Sequence, residues 1–218
     1  MRNEISIARA LLSRRTLLSL VSLILAGLLF IPSNMLIQAL YPDRPIVPDI
    51  LFTLTPELPW MAFVTDPILL VSVAIMLYQA LRLDRRRLPY YFFIVSVLYY
   101  ARCVLMILTP LGRPTGNLDS YGILRFTGML QHGMFPSGHQ MLVTLAWLLI
   151  DGVRLPRLKR LSGVLAILEG LTLLLSRGHY SIDIVGGVLV SWFIVERLSG
   201  YKDRFDLLPG VAGAAPAP

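Results

Sequence analysis

Eight consecutive positions, Ser176-Arg177-Gly178-His179-Tyr180-Ser181-Ile182-Asp183, place a serine, an arginine, a histidine and an aspartate between two strongly apolar runs. His179 and Asp183 are spaced i, i+4, so a helix starting near Tyr180 puts them on one face. A carboxylate bound to one imidazole nitrogen fixes the tautomer and leaves the other nitrogen basic and aimed. That arrangement makes a nucleophile of histidine. The alternative is a purely structural cap, but an ionisable pair at the mouth of an apolar run is costly and points to function. A second stretch, Phe135-Pro136-Ser137-Gly138-His139, lies about forty residues upstream, also at the mouth of an apolar run. Gly138 permits close backbone approach, and the free amides of a helix start favour an anion. A histidine there is placed to protonate a leaving oxygen, with Ser137 as the helix cap. Together the two stretches predict an acid and nucleophile couple for phosphoryl transfer.

Two arginines are candidates for the phosphate. Arg102 lies inside an apolar run after Tyr99-Tyr100 and needs an anionic partner: Asp66, Glu169, Asp183 or a substrate phosphate. Planar guanidinium forks suit phosphate oxygens. Arg177 is the arginine nearest His179 and reads either as a second phosphate ligand or as an anchor at headgroup level. Glu169 and Asp66, also within apolar runs, read as a structural ion pair or protonated side chains. His132 reads as a loop residue.

These residues must be positioned by a membrane protein. The 218-residue chain is 56% hydrophobic and 15% charged, against about 25% charged in soluble domains, and its mean hydropathy is +0.68. The net charge of +7 comes in short clusters between apolar runs, as in cytoplasmic membrane loops. No continuous basic face with stacking aromatics is readable, which excludes a nucleic-acid partner. The single Cys103 cannot form an internal disulfide. Six runs read as transmembrane helices: Thr16 to Leu40, Trp60 to Leu81, Pro89 to Leu111, His139 to Val153, Leu161 to Leu175 and Ile182 to Leu198. The last three are short for a span of about twenty residues. Five prolines between Tyr41 and Pro59 rule out a continuous helix there.

The expected fold is all-α and integral to the membrane. It has a basic N-terminal segment (1–15), one six-helix catalytic domain (16–199) and a tail (200–218) that ends in a disordered stretch from Pro209. Fifteen of the 20 Lys and Arg residues fall in one alternate set of loops and termini. The positive-inside rule puts both termini in the cytoplasm. It therefore puts both histidine stretches together on the non-cytoplasmic face.

Pro136-Ser137-Gly138-His139 resembles the second motif of the type 2 phosphatidic acid phosphatase superfamily, and His179-x-x-x-Asp183 the end of its third. The match is closer to the sphingomyelin synthase branch, where a run similar to His179-Tyr180-Ser181-Ile182-Asp183 heads the last helix. Arg102-x-x-x-Met106-x-x-Thr109 is similar to that branch's third helix, and Pro48-Asp49-Ile50-Leu51-Phe52 to its first outer loop. The resemblance implies a phosphohistidine mechanism without metal or other cofactor. His179 is then the nucleophile, Asp183 its orienting carboxylate and His139 the acid and later the base. Arg102 becomes a candidate phosphate ligand. The partners implied are a phospholipid donor in the bilayer and a ceramide- or diacylglycerol-type acceptor. With water as acceptor the same site is a phospholipase C or phosphatase. The rival classes are a haem or metal protein ligated by His139 and His179, and a transporter or scaffold with vestigial motifs. Oligomeric state is not readable.

Overall fold

The computed structural model describes residues 6–114 and 132–207, and the chain folds as a bundle of helices with no strand among them. The polar loop expected from Gly112 to Pro136 and the tail from Pro209 lie largely or wholly outside the described residues. The helices are α1 (Ile7–Leu11), α2 (Arg14–Leu40), α3 (Ile50–Leu54), α4 (Ala62–Tyr78), α5 (Leu88–Leu108), α6 (Gly138–Leu149), α7 (Pro156–Leu175) and α8 (Ser181–Leu198). A 3-10 turn, Pro59–Met61, leads into α4, and a π-helical turn, Gln79–Leu83, follows it. A 3-10 segment, Ser199–Phe205, closes the chain.

The starts follow local chemistry. Ser6, Ser13 and Ser137 cap α1, α2 and α6, each accepting a first-turn backbone N–H on its hydroxyl. Proline at the first helical turn sets α5 and α7. Pro156 starts α7 five residues before Leu161, so Arg157, Lys159 and Arg160 are helical. Within the proline-rich segment only α3 forms, capped by Asp49, whose Oδ1 accepts Leu51 N–H at 2.9 Å.

Among the described residues, three segments are long and apolar enough to cross a membrane: Arg14–Leu40, Pro59–Leu83 and Arg85–Leu108. The six runs all become helices, but α6 has only 12 residues and α7 carries a basic first turn. Large apolar side chains on α2, α7 and α8, among them Leu28, Ile167, Trp192 and Phe193, face outward, as a lipid-facing surface does.

α6 is the central helix. α4, α7 and α8 pack around it, and α2 lies along α5. Val143, Leu145 and Ala146 of α6 are fully buried. The core continues through Tyr90, Ile94 and Leu98 of α5, Met141 of α6 and Ile194 of α8. One end of the bundle gathers the C-terminal ends of α2, α5 and α7 with the starts of α4, α6 and α8. The opposite end holds a cluster of basic residues. There Arg15 donates to the Asp206 carbonyl at 2.8 Å, Arg86 pairs with the Asp206 carboxylate at 3.3 Å, and Lys159 donates to the Trp147 carbonyl at 2.6 Å.

The contact of α8 with α6 is set by Gly187. A Cβ there would lie 3.0 Å from Gln140 Cβ and 3.1 Å from the Ser137 carbonyl oxygen. Gly187→Leu is expected to destabilise the detergent-solubilised protein by about 1–3 kcal/mol through overpacking, read as a lower thermal midpoint. Gly27→Ala on α2, where nothing lies within 4 Å, is expected to hold or raise the midpoint. An unchanged midpoint for Gly187→Leu contradicts this packing.

Candidate active site

The two histidine stretches meet at one end of the bundle. Ser137 N–H, one residue before α6, donates to the Asp183 carbonyl oxygen in the first turn of α8 at 3.0 Å. His179 stands just before the α8 N-cap, Tyr180, and Asp183 is the third residue of the helix. The pair is thus a flank-to-first-turn contact rather than two residues within a helix. Asp183 Oδ2 accepts from His179 Nδ1 at 3.1 Å and from Tyr180 N–H at 3.0 Å. Because a carboxylate accepts, Nδ1 carries the proton and Nε2 keeps its lone pair. Asp183 is fully buried and His179 is 7% exposed.

Burial pushes the His179 pKa below its ordinary value. The hydrogen bond and negative charge of Asp183 oppose that fall, while the positive charges of Arg102 and His139 add to it. His179, Asp183, Arg102 and His139 are therefore within electrostatic reach of one another.

His139 has a carboxylate of its own. Its Nε2 lies 3.1 Å from Oδ1 of Asp66 on α4, a residue with no exposed surface. Nδ1 is then the nitrogen on the far side of the ring from Asp66. Glu169 of α7 neighbours Asp66 electrostatically. It is fully buried, and neither carboxylate oxygen accepts a hydrogen bond from a described residue. In the sequence Asp66 stands out only as an acidic residue in an apolar run. Its partner is not readable there, because the two positions lie 73 residues apart.

Arg102 reaches the same end from α5. Its Nε donates to the Pro136 carbonyl at 3.3 Å, and its guanidinium lies over the Phe30 ring at 4.6 Å. A Cβ on Gly138 would come within 2.7 Å of Arg102 Cζ, so a glycine is required for the guanidinium to reach the α6 start. Asn34 of α2 fixes the approach to that start, its Oδ1 accepting His132 N–H at 2.9 Å and Gly133 N–H at 3.1 Å. His132 itself meets Arg44 at 3.3 Å through Nδ1.

Arg177 is placed differently. α7 ends in a Schellman motif, with Gly178 N–H on the Leu173 carbonyl at 2.9 Å and Arg177 N–H on the Leu174 carbonyl at 3.1 Å. Arg177 occupies the position usually held by glycine, with φ of 57°, at a cost of about 1–3 kcal/mol. Its buried guanidinium offsets that cost by donating to the Phe52 carbonyl at 2.8 Å, the Thr55 carbonyl at 2.7 Å and Thr55 Oγ1 at 3.1 Å. It also stacks on the Phe52 ring at 4.4 Å. Asp49 clamps the same segment from the other side, accepting Ser181 N–H at 2.6 Å and Ser181 Oγ–H at 3.0 Å. Its charge there suits the start of α8. Phe52 stacks on Tyr180. Nothing in the sequence marks the clamp roles of Asp49 and Asn34, where only the Pro48-Asp49 dipeptide carries a signal.

Residues 50–201 match the AtPDCT1/2 family. The chain is 28% identical, over a 193-residue alignment, to Phosphatidylcholine:ceramide cholinephosphotransferase 1 of Caenorhabditis elegans, with 72% of this chain covered. It spans 39% of that relative's length. The chain belongs to the AtPDCT1/2 family, within the sphingomyelin synthase-like branch of the type 2 phosphatidic acid phosphatase superfamily.

Two outcomes test this geometry. A histidine-resolved NMR titration in nanodiscs is expected to give His179 a midpoint below 6.5. The midpoint should fall further in Asp183→Asn, which removes the group that favours the imidazolium; a midpoint at or above 6.5 in the wild type contradicts the burial. Arg177→Gly relieves the backbone strain but frees the loop. It is expected to keep α7 intact while amide exchange across Phe52–Thr55 accelerates at least tenfold, and unchanged protection would deny the clamp.

Proposed function

We propose that the protein is a membrane lipid phosphotransferase that moves a phospho-headgroup from a glycerophospholipid to a lipid hydroxyl through a phosphohistidine. The observation that carries this reading is the meeting of two histidine–carboxylate pairs at one bundle end, with Arg102 against the start of α6. The name of the Caenorhabditis elegans relative, which specifies a phosphatidylcholine donor and a ceramide acceptor, favours transfer over hydrolysis.

His179 Nε2 attacks the donor phosphorus, forming an N–P bond as the bond to the diacylglycerol oxygen breaks. That oxygen takes a proton from His139 Nδ1, whose other nitrogen rests on Asp66. His139, now neutral, removes the proton of the acceptor hydroxyl. The acceptor oxygen then attacks phosphorus and the N–P bond breaks, restoring His179 and returning the proton to His139. Asp183 holds the His179 tautomer throughout. Arg102 and the first amides of α6, bracketed by Ser137 and Gly138, balance charge on the phosphoryl oxygens, usually the main source of rate in such transfers. Arg177 acts on the substrate side by keeping the Phe52–Thr55 segment over the α7–α8 turn.

The same reading assigns six membrane crossings to α2, α4, α5, α6, α7 and α8, forming one catalytic domain over 16–199 between a basic segment, 1–15, and a tail, 200–218. Both termini lie in the cytoplasm and the site opens on the non-cytoplasmic face. The support is the basic cluster at the bundle end opposite the histidines.

The test is purified protein with mixed phospholipids, including phosphatidylcholine, and a labelled ceramide, read by mass spectrometry. A new ceramide phosphodiester is expected, abolished in His179→Ala. In Asp66→Asn and His139→Asn it should fall by roughly 10²–10⁴, the usual worth of general acid–base catalysis. Diacylglycerol with a free phosphoalcohol and no ceramide product makes the site a hydrolase. Unchanged lipids in wild type and mutant overturn the reading.

A further inference from the structure

One buried acid takes no part in the proposed steps. Glu169 of α7 is fully buried, and neither of its carboxyl oxygens accepts a hydrogen bond from a described residue. Its place follows from the mutual packing of α4, α6 and α7. Leu69 of α4, Val143 of α6 and Ala166 of α7 belong to one buried apolar cluster. Asp66 precedes Leu69 by three residues, His139 precedes Val143 by four, and Glu169 follows Ala166 by three. Such spacings put residues on one helix face, a turn apart. α4 and α6 run away from the site end and α7 runs toward it, so all three steps lead from the cluster toward the site. Asp66, His139 and Glu169 therefore form one layer, each from a different helix. Asp66 is the charge that Glu169 senses across that layer.

Such a layer does not hold two carboxylates. One imidazolium balances one carboxylate, and Asp66 Oδ1 already meets His139 Nε2 at 3.1 Å. An ionised Glu169 would have neither a donor nor a cation of its own among the described residues. A carboxyl so placed keeps its proton rather than carry a bare charge. As an acid it has what a carboxylate lacks, an O–H to donate.

We infer that Glu169 is a neutral carboxylic acid whose O–H holds the charge of Asp66 while His139 is without its second proton. In the first half of the transfer the His139 Nδ1–H bond breaks and the proton goes to the diacylglycerol oxygen. The imidazole is then neutral, and Asp66 is left without a counter-charge in an apolar surround. Donation from Glu169 stabilises that state, which lasts as long as the phosphohistidine does. The proton of the acceptor hydroxyl then restores the imidazolium, and Glu169 ends with the proton it began with. Glu169 thus acts through Asp66, as a positioning residue. Its protonation follows from burial alone, whereas its effect on turnover rests on the phosphotransferase reading.

The experiment compares the full-length protein in nanodiscs with Glu169→Gln and Glu169→Leu. At neutral pH the infrared spectrum of the wild type is expected to show the C=O band of a protonated carboxyl, and both variants should lose it. Glutamine keeps a neutral donor, so lipid transfer should stay within about threefold of wild type. Leucine has no donor and should cost about tenfold or more, the scale of a hydrogen bond to a charged group. Leucine should nonetheless hold or raise the thermal midpoint, because it replaces a buried polar group by an apolar one. If Glu169 only packs, leucine is as active as glutamine; if it works as a carboxylate, glutamine is as damaging as leucine. Either result, or a wild-type spectrum without the band, overturns the inference. The band with no transfer in the wild type removes the phosphotransferase reading, and the role of Glu169 with it, but leaves the buried acid standing. Transfer without the band removes the inference alone.

Discussion

The hydrogen bond from Ser137 N–H to the Asp183 carbonyl ties the starts of α6 and α8 together, and the site depends on it. The two helices begin 43 residues apart in sequence, yet one backbone contact sets their relative height. Gly187 allows the close approach, and a larger residue there would push the Ser137 carbonyl away. Once the two starts are level, each histidine finds its carboxylate by a different route. His179 reaches Asp183 within its own segment, and His139 reaches Asp66 across to α4. Asp183 does more than orient an imidazole. Its side chain also accepts the N-cap amide of α8, so the group that fixes the histidine tautomer also fixes the helix start that carries it.

An apolar bundle makes such polar groups expensive, which explains their economy. Lone charges are strongly disfavoured in low dielectric, so buried ones come with partners. Arg177 has four oxygens and a ring, Asp49 has two backbone amides and a hydroxyl, and Arg102 has a carbonyl and a ring. Against that pattern the Glu169 carboxylate and Gln140 Oε1, both without a described hydrogen-bond partner, stand out. Both border the histidine site, Glu169 through Asp66 and Gln140 through its neighbour His139. Arg177 shows the reverse trade. A glycine would end α7 without strain, yet an arginine is held in the left-handed region because its side chain alone reaches the Phe52 and Thr55 carbonyls.

Much of the site was legible in the chain because its signals are local. His179 and Asp183 are four residues apart, Ser137-Gly138-His139 opens an apolar run, and Arg102 interrupts one. The helical class followed from the apolar runs in the same way. What local pattern does not encode is partnership between distant segments. Asp66 and His139, Asn34 and Gly133, and Asp49 and Ser181 are joined by packing, and no spacing announces them. Helix limits shifted for the same reason. Gln79 on the turn after α4 donates to the Leu149 carbonyl and accepts Asp151 N–H, closing α6 earlier than its apolar residues suggest.

The clamp over the α7–α8 turn bears on transfer against hydrolysis. A phosphohistidine is exposed to water unless the protein keeps water out, and a lipid acceptor competes only where water is scarce. His179 is 7% exposed in a turn covered by a segment tied down at Asp49, Phe52 and Arg177. Each tie has a distinct physical origin: a charge at a helix start, a ring stack and a buried guanidinium on carbonyls. On the proposed reading, that covering segment limits the water that reaches the phosphohistidine. On that reading a covered nucleophile favours a hydroxyl that arrives on a lipid over one that arrives as water. A preference for transfer, on the proposed reading, resides less in the histidines, which serve either reaction, than in the loop that covers one of them.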